Sequence, residues 1–442
     1  MRYISLCFFS VLILSKTLAQ NIEFSPLSRF GIGDLTRNES PFSSQIGHAG
    51  IAYSSEEDFN FINAASLGFL KITDAEIGFN GKYKDVQDYK NHRAYDWSGN
   101  LNHIQLGIPL RNTINELLDR KEYKRSYGLS FGLSPYTSTG YHYVVSDSSV
   151  SFGKTSRTLD GSGGINKFTL GFGYRYKNLG VGINLGYLFG NTRFEQVYSF
   201  DDLTESATNY LDDQYHATGI NAGLGFLYKK VLNAAEMKKE KSAREKVLQF
   251  GLQVGVPSKL NYKNNSLHRT KLNLTSSDID TILLITDQKS SADLPLTIQA
   301  GLYYNHKEKS TIFGDVLFEN WDAVDLYENA KGTLANVFGL SIGGWIRPDA
   351  TGYGKFLKRN QYRVGAFYRS GYLSNNDKNL NNIGITFGVG MPFVFQRQTA
   401  MVHLGFEIGK TTLDQFIKEN YFKINLGFRL NDNEWFLKRR YN

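Results

Sequence analysis

The chain has 442 residues and a formal charge of +8, with basic and acidic residues interleaved along its length. No Lys/Arg stripe tracks an aromatic platform, which argues against nucleic-acid binding. Tyr and Phe number 27 and 31 beside 43 Gly and 8 Pro, a mixture unlike a helical enzyme and suited to closely packed strands with aromatic girdles.

The N-terminus sets the compartment. Arg2 supplies a positive start, Leu6 to Leu14 form an apolar core broken by Ser10, and Thr17-Leu18-Ala19 makes a small-residue cleavage site before Gln20. Residues 1–19 therefore read as a signal peptide, whose removal takes away Arg2 and Lys16 and lowers the charge from +8 to +6. Cys7, the only cysteine, goes with it, so the mature chain has no thiol or disulfide. No later stretch approaches about 18 uninterrupted apolar residues, so any membrane span must be built of strands.

Residues 20–71 are rich in Ser, Asn and Gly with poor alternation, and read as a plug. Beyond them the hydropathy alternates. Phe168, Leu170, Phe172, Tyr174 and Tyr176 point one way, and Lys167, Thr169, Gly171, Gly173 and Arg175 the other. Strand candidates begin near Ile72, Trp97, Lys124, Gly164, Leu179, Gln214 and Lys246, then near Leu294, Thr311, Ala335, Gln361, Asn382, Thr399 and Asn420. The fold class is all-β: a transmembrane antiparallel β-barrel of about 14 strands over residues 72–430, with an N-terminal hatch and a periplasmic tail at 431–442. The location is the outer membrane, with its lipids around the barrel.

Connections support this orientation. Tyr176 to Leu179, His306 to Lys309 and Val394 to Gln398 are short, as periplasmic turns are, while 200–213 and 275–293 read as longer polar outer loops. Trp97 and Trp321 fall at outer strand ends, Trp345 at an inner end, and Trp435 just past the last strand, which predicts two interfacial belts. Two periplasmic connections are long: 111–123, with Ile114, Leu117 and Leu118 at helical spacing, and the basic segment 229–246. Both read as solvated helices; the sharper alternative is docking to a periplasmic protein or to anionic headgroups.

Several stretches carry a family resemblance: Ser25-Pro26-Leu27-Ser28-Arg29-Phe30-Gly31-Ile32-Gly33-Asp34-Leu35, Asn63-Ala64-Ala65-Ser66-Leu67, Gly132-Leu133-Ser134-Pro135-Tyr136 with Gly140-Tyr141, Gly163 to Phe168, and the tail from Asn420 to Arg439. Together they resemble FadL-type outer-membrane transport proteins, in the version common in Bacteroidota. The resemblance implies a fourteen-stranded barrel, a hatch filling the lumen, and passage of hydrophobic molecules released sideways through a kinked third strand. The family's hatch commonly has Asn-Pro-Ala where this chain has Asn63-Ala64-Ala65, and losing proline leaves that turn less constrained.

The third strand, from about Lys124 to Val145, is broken by Ser134-Pro135-Tyr136 and Gly140; proline cannot donate to a ladder, so it marks a bulge or a break. Alternation turns Lys167, Arg175, Arg363, Arg369, Lys423 and Arg429 into the lumen, against Asp315, Glu319 and Glu407. This basic excess would suit a carboxylate headgroup, but an internal ion-pair network explains it without a ligand. The scattered His, the lack of Cys in the mature chain and the absence of a Gly-x-Ser-x-Gly elbow or phosphate loop leave no catalytic, metal or cofactor site. The expected function is transport of hydrophobic small molecules such as long-chain fatty acids. The alternative is an accessory or structural barrel in an outer-membrane secretion or biogenesis complex, with other outer-membrane or periplasmic proteins as partners. A soluble secreted protein is disfavoured by the uniformly greasy outward faces.

Overall fold

A computed structural model describes residues 23–36, 40–111, 123–149, 153–202, 206–240, 244–272, 279–324, 334–349, 355–375, 378–395 and 398–432. The signal segment, most of the connection 111–123, and the tail beyond Asp432 with Trp435 lie outside the described residues.

The chain opens with the two-residue strand β1 (Asp34–Leu35) inside the lumen, and the wall then begins. Its first half is β2 (Thr73–Asp88), β3 (Arg93–Pro109), β4 (Arg125–Ser149), β5 (Gly153–Tyr176), β6 (Leu179–Phe200), β7 (Ala207–Val231) and β8 (Lys246–Val256). It continues through β9 (Ser258–Leu272), β10 (Ile279–Leu294), β11 (Thr297–His306), β12 (Ser310–Glu319) and β13 (Val337–Ile346). The wall ends with β14 (Gln361–Asn375), β15 (Lys378–Phe395), β16 (Gln398–Leu413) and β17 (Ile417–Asp432). Two short helices, α1 (Ala234–Lys239) and α2 (Phe356–Arg359), lie between β7 and β8 and between β13 and β14.

Every ladder is antiparallel, and β17 pairs with β2 from Ile417↔Asp88 to Asp432↔Thr73, which closes the barrel. Pro257 separates β8 from β9, and Pro295 with Leu296 separates β10 from β11. Because β7 pairs with both β8 and β9, each interrupted pair runs on as one wall strand, and the barrel has fourteen. Proline supplies no ladder N–H, which is why both breaks fall there.

The outward face is apolar and exposed, as in Leu224, Leu302, Ile342, Val364, Ile385 and Ile408. Such a belt around a closed sheet has only lipid for a partner, and the molecule is an outer-membrane barrel.

The outer connections differ from expectation. Instead of loops at 200–213 and 275–293, β7 starts at Ala207 and the β9–β10 hairpin runs out to Leu272 and Ile279. β4 and β7 have 25 residues each, about 80 Å of strand, where about 10 residues cross a bilayer. At their outermost ends, Ala207 to Tyr215 on β7 and Ile279 to Lys289 on β10, neither face is buried, so hydropathy does not alternate there and the strands pass for loops.

The belts also need correction. Trp97 is 54% exposed, but Trp321 and Trp345 are buried. Trp345 packs with the hatch residues Phe42 and Ile46, and Trp321 stacks 4.6 Å from Tyr372. Their positions near strand ends were legible, but they point inward, so they anchor the hatch and not the membrane.

Candidate functional site

The lumen holds residues 23–36 and 40–71, the described part of the hatch. Its backbone comes so close to the wall that the facing wall positions must be glycine. A Cβ on Gly182 would lie 2.3 Å from Ala65 N, and one on Gly128 2.5 Å from Leu67 O. On the far side, a Cβ on Gly343 would lie 2.2 Å from Ile46 O. Inward glycines are therefore the floor on which the hatch rests, and Ile46, Ala65, Leu67 and Leu70 are fully buried against them.

Asn63 organises the 3-10 turn Ala64–Phe69. Its Oδ1 accepts from Ala65 N (3.1 Å), while its Nδ2 donates to Ile51 O (3.0 Å) and to Phe226 O on β7 (3.2 Å). These bonds supply the constraint that a proline would have given this turn.

Polar contacts tie the hatch to strands all round the wall. Asp315 on β12 accepts from Gly50 N (2.6 Å) and Ile51 N (2.9 Å). Thr386 on β15 accepts from Gly47 N at 2.8 Å, and Arg363 on β14 donates to Gln45 Oε1 at 2.9 Å. Gln249 on β8 accepts from Ser54 Oγ at 2.9 Å. Closer contacts complete the set: His48 with Glu407 at 3.2 Å, and the charged pairs Lys84 with Glu23 at 2.6 Å and Arg429 with Asp58. Lys84 also meets Glu419 at 3.1 Å, and Glu419 accepts from Ser25 Oγ. Breaking one buried pair of this kind costs about 3–5 kcal/mol, because a charge is left without its partner.

Among the described residues, the wall is interrupted between β3 and β4. The β3–β4 ladder runs from Pro109↔Gly128 to Ile104↔Leu133 and goes no further. Past Ser134, β4 keeps its pairing with β5, with an irregularity between Pro135 and Thr137. β1 takes the side of β4 that β3 has left, pairing Asp34 with Ser138 and Leu35 with Thr137. Thr36 N donates to Tyr136 O (2.9 Å) and Ser25 N to Gly140 O (2.8 Å), so the hatch fills the notch beside Pro135, Tyr136 and Gly140.

Among the described residues, cavities remain in the lumen. One, of about 170 Å³, is lined by Glu23, Lys82, Lys84, Glu407, Glu419 and Lys423. Another, of about 210 Å³, has an apolar side with Ile51, Phe61, Leu317 and Trp321 and a polar side with Lys167, Thr169, Gln253 and Asp315. Of the residues expected to face the lumen, Lys167, Arg369, Asp315 and Glu319 all line this second cavity. Arg363 is instead held by Gln45, Gln361 and His403, and Arg175 lies 5.5 Å above the Phe69 ring. Glu23, Gln45 and Asp58, which carry much of the anchoring, lie in a segment without strand periodicity and were not singled out; the inward glycines were the visible trace of their docking.

Comparison with known proteins adds the family. The BamG family model matches residues 1–442, the full length. The chain belongs to the BamG family. Solved structures with the same fold as this BamG chain include the Pseudomonas putida toluene transporter TodX, with a TM-score of 0.55 and 13% identity over 91% of this chain and 99% of that one. A Pseudomonas aeruginosa FadL homologue gives a TM-score of 0.58 and 10% identity over 91% and 99%. The Ralstonia pickettii toluene transporter TbuX gives 0.53 and 12% over 89% and 98%. No curated protein sequence is significantly similar to the chain. At such identities the likeness is one of fold: this BamG chain has the FadL-type barrel, and its family is BamG.

Proposed function

We propose that this barrel is a closed accessory subunit of an outer-membrane secretion or biogenesis complex, and not a free-standing conduit. The observation that carries this reading is the hatch, pinned to β2, β8, β12, β14, β15, β16 and β17 by buried polar contacts and seated on inward glycines. Moving it would break several buried charge pairs at once, each about 3–5 kcal/mol. The 170 Å³ cavity sets Glu23, Lys82, Lys84, Glu407, Glu419 and Lys423 beside Leu27, Val337 and Phe367, so an apolar cargo there would have to desolvate charges. The end-to-end family match is to BamG, although the shared fold is that of hydrocarbon transporters.

A second reading, transport of hydrophobic compounds such as long-chain fatty acids with sideways release, is favoured by the notch between β3 and β4 and by the apolar side of the 210 Å³ cavity. Neither reading assigns a catalytic step. Native mass spectrometry of the protein gently extracted from its own outer membrane separates the two. Stoichiometric protein partners with no retained small molecule are expected. A lone barrel carrying an apolar molecule would overturn the accessory reading in favour of transport.

A further inference from the structure

The periplasmic rim, where the short turns lie, carries two sets of cations. One set is matched by acids: Lys229 lies 3.2 Å from Glu245, and Arg244 lies 3.4 Å from Glu308. For the other set, Arg111, Arg125, Lys177, Lys230 and the run Lys355, Lys358 and Arg359, the described residues contain no ion pair.

The second set is placed among groups that meet lipid. Arg125 stands opposite Tyr176 in the β4–β5 ladder, on the face that carries Phe131 and Phe172, with its guanidinium 5.9 Å from the Tyr176 ring. Lys177 lies 5.4 Å from the same ring, and Arg111 lies 4.7 Å from Tyr123. Lys230 on β7 shares the outward face of Leu224 and Tyr228.

The densest cluster is at α2. Phe356 and Leu357 are 51% and 67% exposed between Lys355 and Lys358, and Tyr362 at the head of β14 donates to the Leu357 carbonyl at 2.8 Å. Arg359 Nε is shut off from water without a hydrogen-bond partner. Asp349, whose N–H donates to Lys358 O at 2.8 Å, is the acid of this turn.

Exposed Phe and Leu flanked by Lys and Arg, beside the exposed Tyr362, is the arrangement of an element lying in the headgroup region. The anions found there are phosphates of phospholipids, and basic groups near such a surface attract them additively. An acidic soluble protein would not reach cations whose neighbours are sunk in hydrocarbon.

We propose that the periplasmic rim is a binding collar for anionic phospholipid, with Lys355, Lys358 and Arg359 as its principal site and Arg125 with Lys177 as a second. The mature protein in neutral detergent, offered equal phosphatidylglycerol and phosphatidylcholine and read by native mass spectrometry, is expected to retain the anionic lipid about fivefold or more in preference. K355Q/K358Q/R359Q is expected to lose most of that preference. R125Q/K177Q, at the β4–β5–β6 end of the rim, gives an independent smaller loss, should the triple variant fail to fold. Equal retention of the two lipids, or a preference unchanged in folded variants, would overturn the proposal. So would a polyglutamate peptide that displaces phosphatidylglycerol, which would point to an acidic protein partner.

Discussion

At the residue scale, the wall glycines facing the hatch are specified by contact distance. On Gly182 a Cβ would meet Ala65 N at 2.3 Å, and both are backbone positions that cannot turn aside. Gly182→Ala should therefore destabilise the barrel by about 1–3 kcal/mol, read as a lower thermal midpoint and faster proteolysis between residues 60 and 70. An unchanged midpoint would mean that the hatch does not bear on β6. Glu23 makes the acid sensitivity of the N-terminal segment predictable. Burial alone would raise its carboxyl, but Lys82 and Lys84 outweigh burial and hold it at about 2, below the ordinary 4.5. A carboxyl depressed in the folded state contributes stability above its ordinary value and loses it as the pH falls through the folded one. Pepsin cleavage near residues 23–36 should thus increase as pH drops from 4.5 towards 2. Onset well above that window would assign the loosening to another group. Alternation turned Lys167, Arg363 and Arg429 into the lumen, but not which acids they meet, because parity gives a direction and no partner.

At the element scale, β4 shows both sides of legibility. Pro135 and the small residues around it read as a break in the sequence, and they stand just past Leu133, the last β4 residue in the β3–β4 ladder. β1 was hidden, since two residues have no periodicity and pair only because the notch offers an edge. Leu35→Cys with Thr137→Cys places two thiols at paired positions and should lock the notch. Under the accessory reading the locked barrel keeps its partners and supports growth as the wild type does. Growth or uptake lost on locking and restored by reductant would mean that the notch must open. The long strands above the membrane were missed for a different reason: β7 and β9 form a regular ladder from Ala207↔Leu272 to Gly219↔Leu260, and no β7 residue from Ala207 to Tyr215 is buried, so the alternating signal is lost there.

At the scale of the whole molecule, the sequence by itself determined that the chain is an antiparallel outer-membrane barrel of about fourteen strands with a non-strand segment before it. Those properties follow from a period of two and from short turns, which are local and can be read without knowing what lies across the lumen. Tertiary structure decided what fills the barrel, which charges neutralise one another, where the wall is interrupted and which rim cations face lipid. The contacts responsible join residues far apart in the chain: Gln45 with Arg363 across 318 positions, and Ser25 with Glu419 across 394. Barrel closure brings those positions together, so no local pattern encodes their pairing; Ser25 and Gln45 acquire these partners only when the last strands, β14 to β17, complete the wall around them.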